Sequence, residues 1–298
     1  MDLDRERIYE CIFCDGKVSS GEHLLSEWVW KDLHDLGSPG EHLIFSPRAE
    51  APYAVMRGKL GRGEHSAKKL KCVCKPCNNE WMSRIEKTAA PVFRRIKEAP
   101  LCELSPDDRL QIARWATLKA MVLEFTGPHR TIPGETRERF MQDHNVPDSW
   151  IIAVGRYSGQ QSYPQLFTQS FSVQRSDEEV GAHEILAQSI MFEAGGLITY
   201  VLATNNVQDL EFLVSDPADH CSRHGMRLVW PTDGLELALV GISVDDVALE
   251  YLMYPWPAQP GIGPFTTLLD GDPLKTLGQQ LVGGGLTQID LRKCRSAF

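Results

Sequence analysis

The sequence predicts an α+β protein in two parts: a small module over residues 1-100, and a larger domain over 101-298 with mostly antiparallel sheet. Three observations predict this. Four cysteines form two Cys-x-x-Cys pairs in the first 77 residues. A sharply capped helix begins at Ser105. After Trp150 the text becomes short β-branched and aromatic runs separated by polar, Gly or Pro turns. At 298 residues the chain is long enough for two domains of ordinary size. Its 42% hydrophobic and 24% charged residues are those of a globular protein.

In chain order, "IYECIFC" (8-14) is expected to be a short strand running into a metal knuckle, with "DGKVSSG" as a turn before "EHLLSEWVW". Residues 37-66, rich in Gly, Pro and charge, are expected to form an insertion or long hairpin, and "KKLKCVC" a second strand. A helix is expected from Asn78 to Lys97, bent or split at Pro91. For the helix at Ser105, the serine is a good N-cap, Pro106 suits the first helical position, and Asp107 and Asp108 suit the positive end of the dipole. Apolar residues then recur at helical spacing to about Gly127, and a further helix is expected over 133-144. "WIIAVGRY", "PQLFTQSFSVQ", "LITYVLAT", "MRLVWP" and "LELALVGISV" are expected strands. "PWPAQPGIGP" and "LVGGGL" are expected loops, and no phosphate-cradling glycine motif occurs.

No apolar run reaches the length of a membrane helix, and the charged start "MDLDRERIYE" is unlike a signal peptide, so a cytoplasmic protein is expected. In that reducing setting, paired cysteines favour metal over disulfides. Cys11 and Cys14, then Cys74 and Cys77 after a gap of 59 residues, give four thiolates, a complete tetrahedral set for a structural zinc ion. An unmetallated or redox-active pairing is the alternative. Cys72 competes with Cys74 as a ligand, but the spacing favours Cys74.

Net charge is -9, which opposes nonspecific nucleic-acid binding, yet it is unevenly spread. Residues 1-100 carry a net of +2 and the remainder -11; between 57 and 97 there are 12 basic residues against three acidic ones. Lys68, Lys69, Lys71 and Lys75 lie in that stretch and are candidate phosphate contacts, or simply a solvated face.

Between the cysteine pairs stands Glu22-His23, and directly after Cys77 stands Asn78. A metal ion holding both pairs would bring these close together. A carboxylate and an amide oxygen are hard ligands suited to Mg2+ or Mn2+, and a neighbouring imidazole can take a proton from water. Each residue also has an ordinary reading: a solvated glutamate, a satisfied histidine, an asparagine helix cap. Asn79 is a reserve ligand. Trp81 and Met82 read as core, and Glu86 as a supporting carboxylate or a partner of charge around Arg84. His220 and His224 in "DHCSRH" could hold a metal if helical; a polar loop is the favoured reading.

"CIFC", "GEHLLSEW" and "VCKPCNNEWMSRIE" together resemble the HNH, or ββα-metal, endonucleases, in particular a bacterial zinc-containing subgroup. The resemblance covers residues 8 to 90. It implies a zinc-stapled ββα-metal module and a phosphodiester hydrolase acting on nucleic acid, DNA foremost. His23 matches the general base, Glu22 and Asn78 match the ligands of a catalytic Mg2+ or Mn2+, and the four cysteines match the zinc ligands. His23 would take a proton from water, hydroxide would attack phosphorus, and the leaving 3′ oxygen would be stabilised at the metal. The chain departs from the pattern at the middle Asn, where Lys69 stands, with His65 or backbone as substitutes. A catalytically inactive zinc module binding nucleic acid or protein is the alternative. The second domain is a candidate surface for a protein partner or for homo-oligomerisation.

Overall fold

The computed structural model describes residues 10–33, 44–45, 69–99, 102–126, 130–158, 166–177, 181–194, 197–232, 237–239, 243–245, 248, 252 and 266–268. Most of the 37-66 insertion, Lys68, His65 and the two expected loops near the C-terminus lie outside them.

The chain enters through a turn. Residues 10–14, expected as a strand, instead curl back: Cys11 N donates to Gly16 O at 2.7 Å and Glu10 bridges to Lys17. β1 (Ser20–His23) follows, then β2 (Ile44–Phe45) and β3 (Lys69–Val73). β1 and β3 pair antiparallel, with Glu22 opposite Leu70 and His23 opposite Lys69, and a register irregularity between Ser20 and Glu22. From β3 the chain passes into α1 (Lys75–Cys77), a wider turn at Asn78–Met82, and α2 (Ser83–Glu98). Pro91 neither ends nor splits α2, which runs through it on its exposed face.

β4 (Glu103–Leu104) leads to α3 (Pro106–Leu123). The expected cap is present in full. Ser105 accepts from Asp108 N, and the Asp108 carboxylate accepts from Ser105 N at 2.9 Å, so each satisfies a donor of the other. From Trp115 to Leu123 α3 is buried on every side. α4 (Gly134–Asp143) ends at His144, whose left-handed backbone (φ 58°) terminates the helix.

The second half contains β5 (Trp150–Arg156), β6 (Leu166–Asp177), β7 (Gly181–Ala194), β8 (Leu197–Thr204), α5 (Val207–Leu213), α6 (Pro217–Arg223), β9 (Met226–Trp230), β10 (Leu237–Ala238) and β11 (Thr266–Leu268). Among the described residues the main sheet runs β11-β6-β7-β8-β5-β9, antiparallel throughout, with β2 joining β6 in parallel. β4 and β10 form a separate pair. The architecture is therefore α+β with an antiparallel sheet, as expected.

Strand periodicity divides the core in two. On β5, Ile152 and Val154 face one cluster, while Ile151 and Ala153 face the other. β8 does the same with Val201 and Ala203 against Tyr200 and Leu202. The first face packs against α2 and α3; the second is covered by Leu210, Leu213 and Cys221 of α5 and α6. The first cluster is continuous from Cys11 to Leu239, so side chains from both sides of residue 100 share one core. Among the described residues no helix is long and apolar enough to cross a membrane.

Candidate functional site

Cys11, Cys14, Cys74 and Cys77 converge, and their Sγ atoms all lie within 4.8 Å of one another. The Cys14 sulfur is 3.6 Å from each of those of Cys74 and Cys77, well beyond a disulfide bond, and all four thiols are free. A tetrahedral ZnS4 centre with Zn–S of about 2.3 Å has sulfurs about 3.8 Å apart. The four cysteines can hold one metal ion. Zinc fits both the donors and the spacing.

Local sequence builds each half. Cys74 caps α1 and its Sγ accepts from Cys77 N at 3.5 Å, while Pro76 favours the helical turn between them. In the first half, a Cβ added at Gly16 would stand 3.3 Å from Cys14 Sγ and 3.4 Å from Cys74 Sγ, so glycine lets the knuckle close around the sulfurs. The halves are laced together by Ile12 N to Cys72 O at 3.0 Å and Ser19 N to Val73 O at 3.2 Å. Trp81 packs edge-on against Phe13 and stacks on His144, and Met141 Sδ of α4 lies 4.0 Å from Cys77 Sγ. Trp81 and Met82 are core, as expected. Cys72 is excluded from the cluster; it points into the core, where burial first, then the nearby Glu22 and Cys11, pushes its thiol up to about 12.

Immediately beside the cluster, Asn78 Nδ2 donates to Ser20 Oγ at 2.7 Å and to Gly21 O at 3.4 Å. The amide is thereby fastened to the strand residues that lead into Glu22-His23. Asn79 is exposed. His23 is half-buried, and its Nδ1 is enclosed with no hydrogen-bond partner among the described residues.

Glu22 is only 4% exposed, and its Oε1 accepts from Lys119 Nζ at 2.5 Å. Lys119 is fully buried and also pairs with Glu86 at 2.6 Å. Burial opposes the lysine's charge, but attraction by Glu22 and Glu86 outweighs it and the net shift is upward. Burial likewise opposes ionisation of Glu86, yet Lys119 holds its carboxyl below the usual range, so the pair stays ionised. Ser26 Oγ donates to Glu86 Oε1 at 2.5 Å and accepts from Trp115 Nε1 at 2.9 Å. The partner of Glu86 is thus Lys119, 33 residues on, rather than charge around Arg84.

Lys69, Lys71 and Lys75 are all exposed. The first two alternate onto one side of β3, and Lys75 stands at the start of α1, with its backbone N donating to Ser19 Oγ at 3.0 Å.

"DHCSRH" is helical, contrary to the polar loop expected there: α6 contains His220 and Cys221, and His224 closes it. The signal was present in Asp216-Pro217, since the Asp216 side chain accepts from Ala218 N and Asp219 N and caps the helix. Among the described residues these histidines form no group able to hold a metal; the four cysteines do. His220 is driven down to about 4 by burial, with His224 and Arg223 adding to the shift. Its folded pKa lies below its ordinary 6.5, so the unfolded chain binds the extra proton. The stabilisation is therefore complete above pH 6.5 and is lost as pH falls from 6.5 towards 4. This amounts to about 3 kcal/mol. Denaturant melts at pH 7.0 and 4.5 are expected to show a smaller loss in His220→Gln than in the parent protein; equal losses would contradict the assignment.

Comparison with known proteins found no matching family model, no similar curated protein and no similar solved structure.

Proposed function

We propose that this protein is a metal-dependent endonuclease of the HNH type that hydrolyses phosphodiester bonds in nucleic acid, DNA foremost. One observation carries this reading. The four-cysteine cluster joins the two halves of the module so that Asn78 is hydrogen-bonded to the residues directly preceding Glu22-His23. An antiparallel β1–β3 pair running into a helix adds support.

In this reading the cysteine cluster holds a structural zinc. Glu22 and Asn78 hold a catalytic Mg2+ or Mn2+ through oxygen atoms; a carboxylate can serve a lysine with one oxygen and a metal with the other. The bound ion supplies electrostatic stabilisation of charge developing on the leaving 3′ oxygen. His23 accepts the proton of the attacking water at a ring nitrogen. Lys69, Lys71 and Lys75 attract the phosphate backbone.

His23→Ala is expected to reduce Mg2+- or Mn2+-dependent nicking of supercoiled plasmid by about 10²- to 10⁴-fold. Zinc content and melting temperature are expected to match the parent protein. Cleavage at the parent rate by the variant would refute the assignment, as would absence of cleavage by the parent on DNA and RNA with either metal.

The buried ion pair of Glu22 with Lys119 favours one second reading: a catalytically silent zinc module that binds nucleic acid or protein, with Glu22 committed to the core. Binding without cleavage, lost on Lys69→Glu and Lys71→Glu together, would support it.

A further inference from the structure

We propose that Lys119, which comes from α3 and lies outside the motif-bearing segment, is the positioning residue for the Glu22-His23 pair. The inference rests on the nuclease reading and specifies what aligns its site. An ammonium group has three N–H donors. Here they meet three acceptors: Glu22 Oε1 at 2.5 Å, Glu86 Oε1 at 2.6 Å and the backbone oxygen of His23 at 3.3 Å. One side chain therefore fastens the carboxylate of the first residue and the main chain of the second.

The rest of the rung acts with it. Trp115 lies one helical turn before Lys119, on the same face of α3, and donates to Ser26, which donates to Glu86. Ser26 belongs to the motif stretch of Glu22 and His23, and Glu86 to that of Asn78, but neither has a place in the proposed proton transfer. Their contacts explain their presence: with Trp115 they hold the second carboxylate so that Lys119 is pinned from two sides. With Lys119 at 0% exposure, substrate cannot reach it, so its influence passes through the residues it holds. Two carboxylates and one ammonium make a formal charge of -1, which a divalent cation bound at Glu22 would offset.

The test uses the full-length zinc-loaded protein and reads Mn2+ binding directly, by electron paramagnetic resonance and calorimetry. Lys119→Met alone would leave two facing carboxylates, so it is combined with Glu86→Gln, which restores the net charge of -1. Loss of a residue supporting a metal ligand typically weakens metal binding about 10- to 100-fold. The Lys119→Met/Glu86→Gln protein is expected to keep its zinc and to bind Mn2+ at least about 10-fold more weakly than the parent, and more weakly than Glu86→Gln alone. Binding equal to that of the parent, or of Glu86→Gln alone, overturns the inference while leaving the nuclease reading intact. Absence of Mn2+ binding in the parent protein removes both. Should the double variant lose its zinc, Lys119→Gln with Glu86→Gln is read by the same criteria, because it keeps a donor for Glu22 but not three.

Discussion

Removing zinc is expected to unfold the cysteine knuckle and the β1–β3 pair. Between Cys11 and Gly21 backbone order comes from a few cross-links, such as Cys11 N to Gly16 O and Ile12 N to Cys72 O, and the two halves meet at the sulfurs. Four-thiolate zinc binding is worth on the order of 10 kcal/mol, comparable with the whole stability of an ordinary domain. Emission spectroscopy of the purified protein is expected to find one zinc per chain. A strong chelator, or Cys77→Ser, is expected to change the fluorescence of Trp81 and Trp28 and to open the segment around residues 10–33 to protease. The sheet of β5 to β9, covered on both faces by other elements, is expected to outlast it. A chelated protein with unchanged melting and protease pattern would show that the cysteines do not depend on metal.

The second large effect lies at the end of α3. Glu124 is buried, and its carboxylate takes Thr131 N, Thr131 Oγ1 at 3.2 Å, Ile132 N at 2.8 Å and the Arg137 guanidinium. It ties the helix to the approach of α4, whose Met141 lies against the four-cysteine cluster at Cys77. Glu124→Ala leaves Arg137 as a buried cation without its carboxylate, a defect that costs about 3–5 kcal/mol, or roughly 10 °C in melting temperature for a protein of this size. Replacing both partners, Glu124→Leu with Arg137→Met, is expected to recover most of that loss, because the unpaired charge is what costs. A double variant as unstable as Glu124→Ala would assign the effect to the Thr131 and Ile132 hydrogen bonds instead.

Much of this was legible in the residues because it is local. The Cys-x-x-Cys spacing, Ser105-Pro106 with Asp108, and the continuous apolar, β-branched runs of β5 and β8 act within one or two turns or along one strand, where neighbours in sequence are neighbours in space. Several elements were missed, β7, α5 and α6 among them, because none displays a clear periodic pattern. β7 carries Gln188 and Ser189 within its buried stretch from Ala187 to Phe192, so it shows neither a continuous apolar run nor an in-out alternation. α6 is a seven-residue helix, too short to display a periodic face. The first strand was misjudged because apolar Ile12 and Phe13 read as a strand, whereas the chain turns there, with Cys11 N donating to Gly16 O.

By itself the sequence determined the two cysteine pairs, the capped helix, the strand-rich second half and the candidacy of Glu22, His23 and Asn78. Only the tertiary structure decided that the four sulfurs meet, that Cys72 is left out, and that Asn78 is bound to the strand before Glu22. It also decided that a lysine 97 residues away holds that glutamate. An ion pair carries no trace in the spacing of its partners. Lys119 reads as one more charge on a helix until packing buries that face, and burial then requires the lysine to be matched by carboxylates from two distant segments.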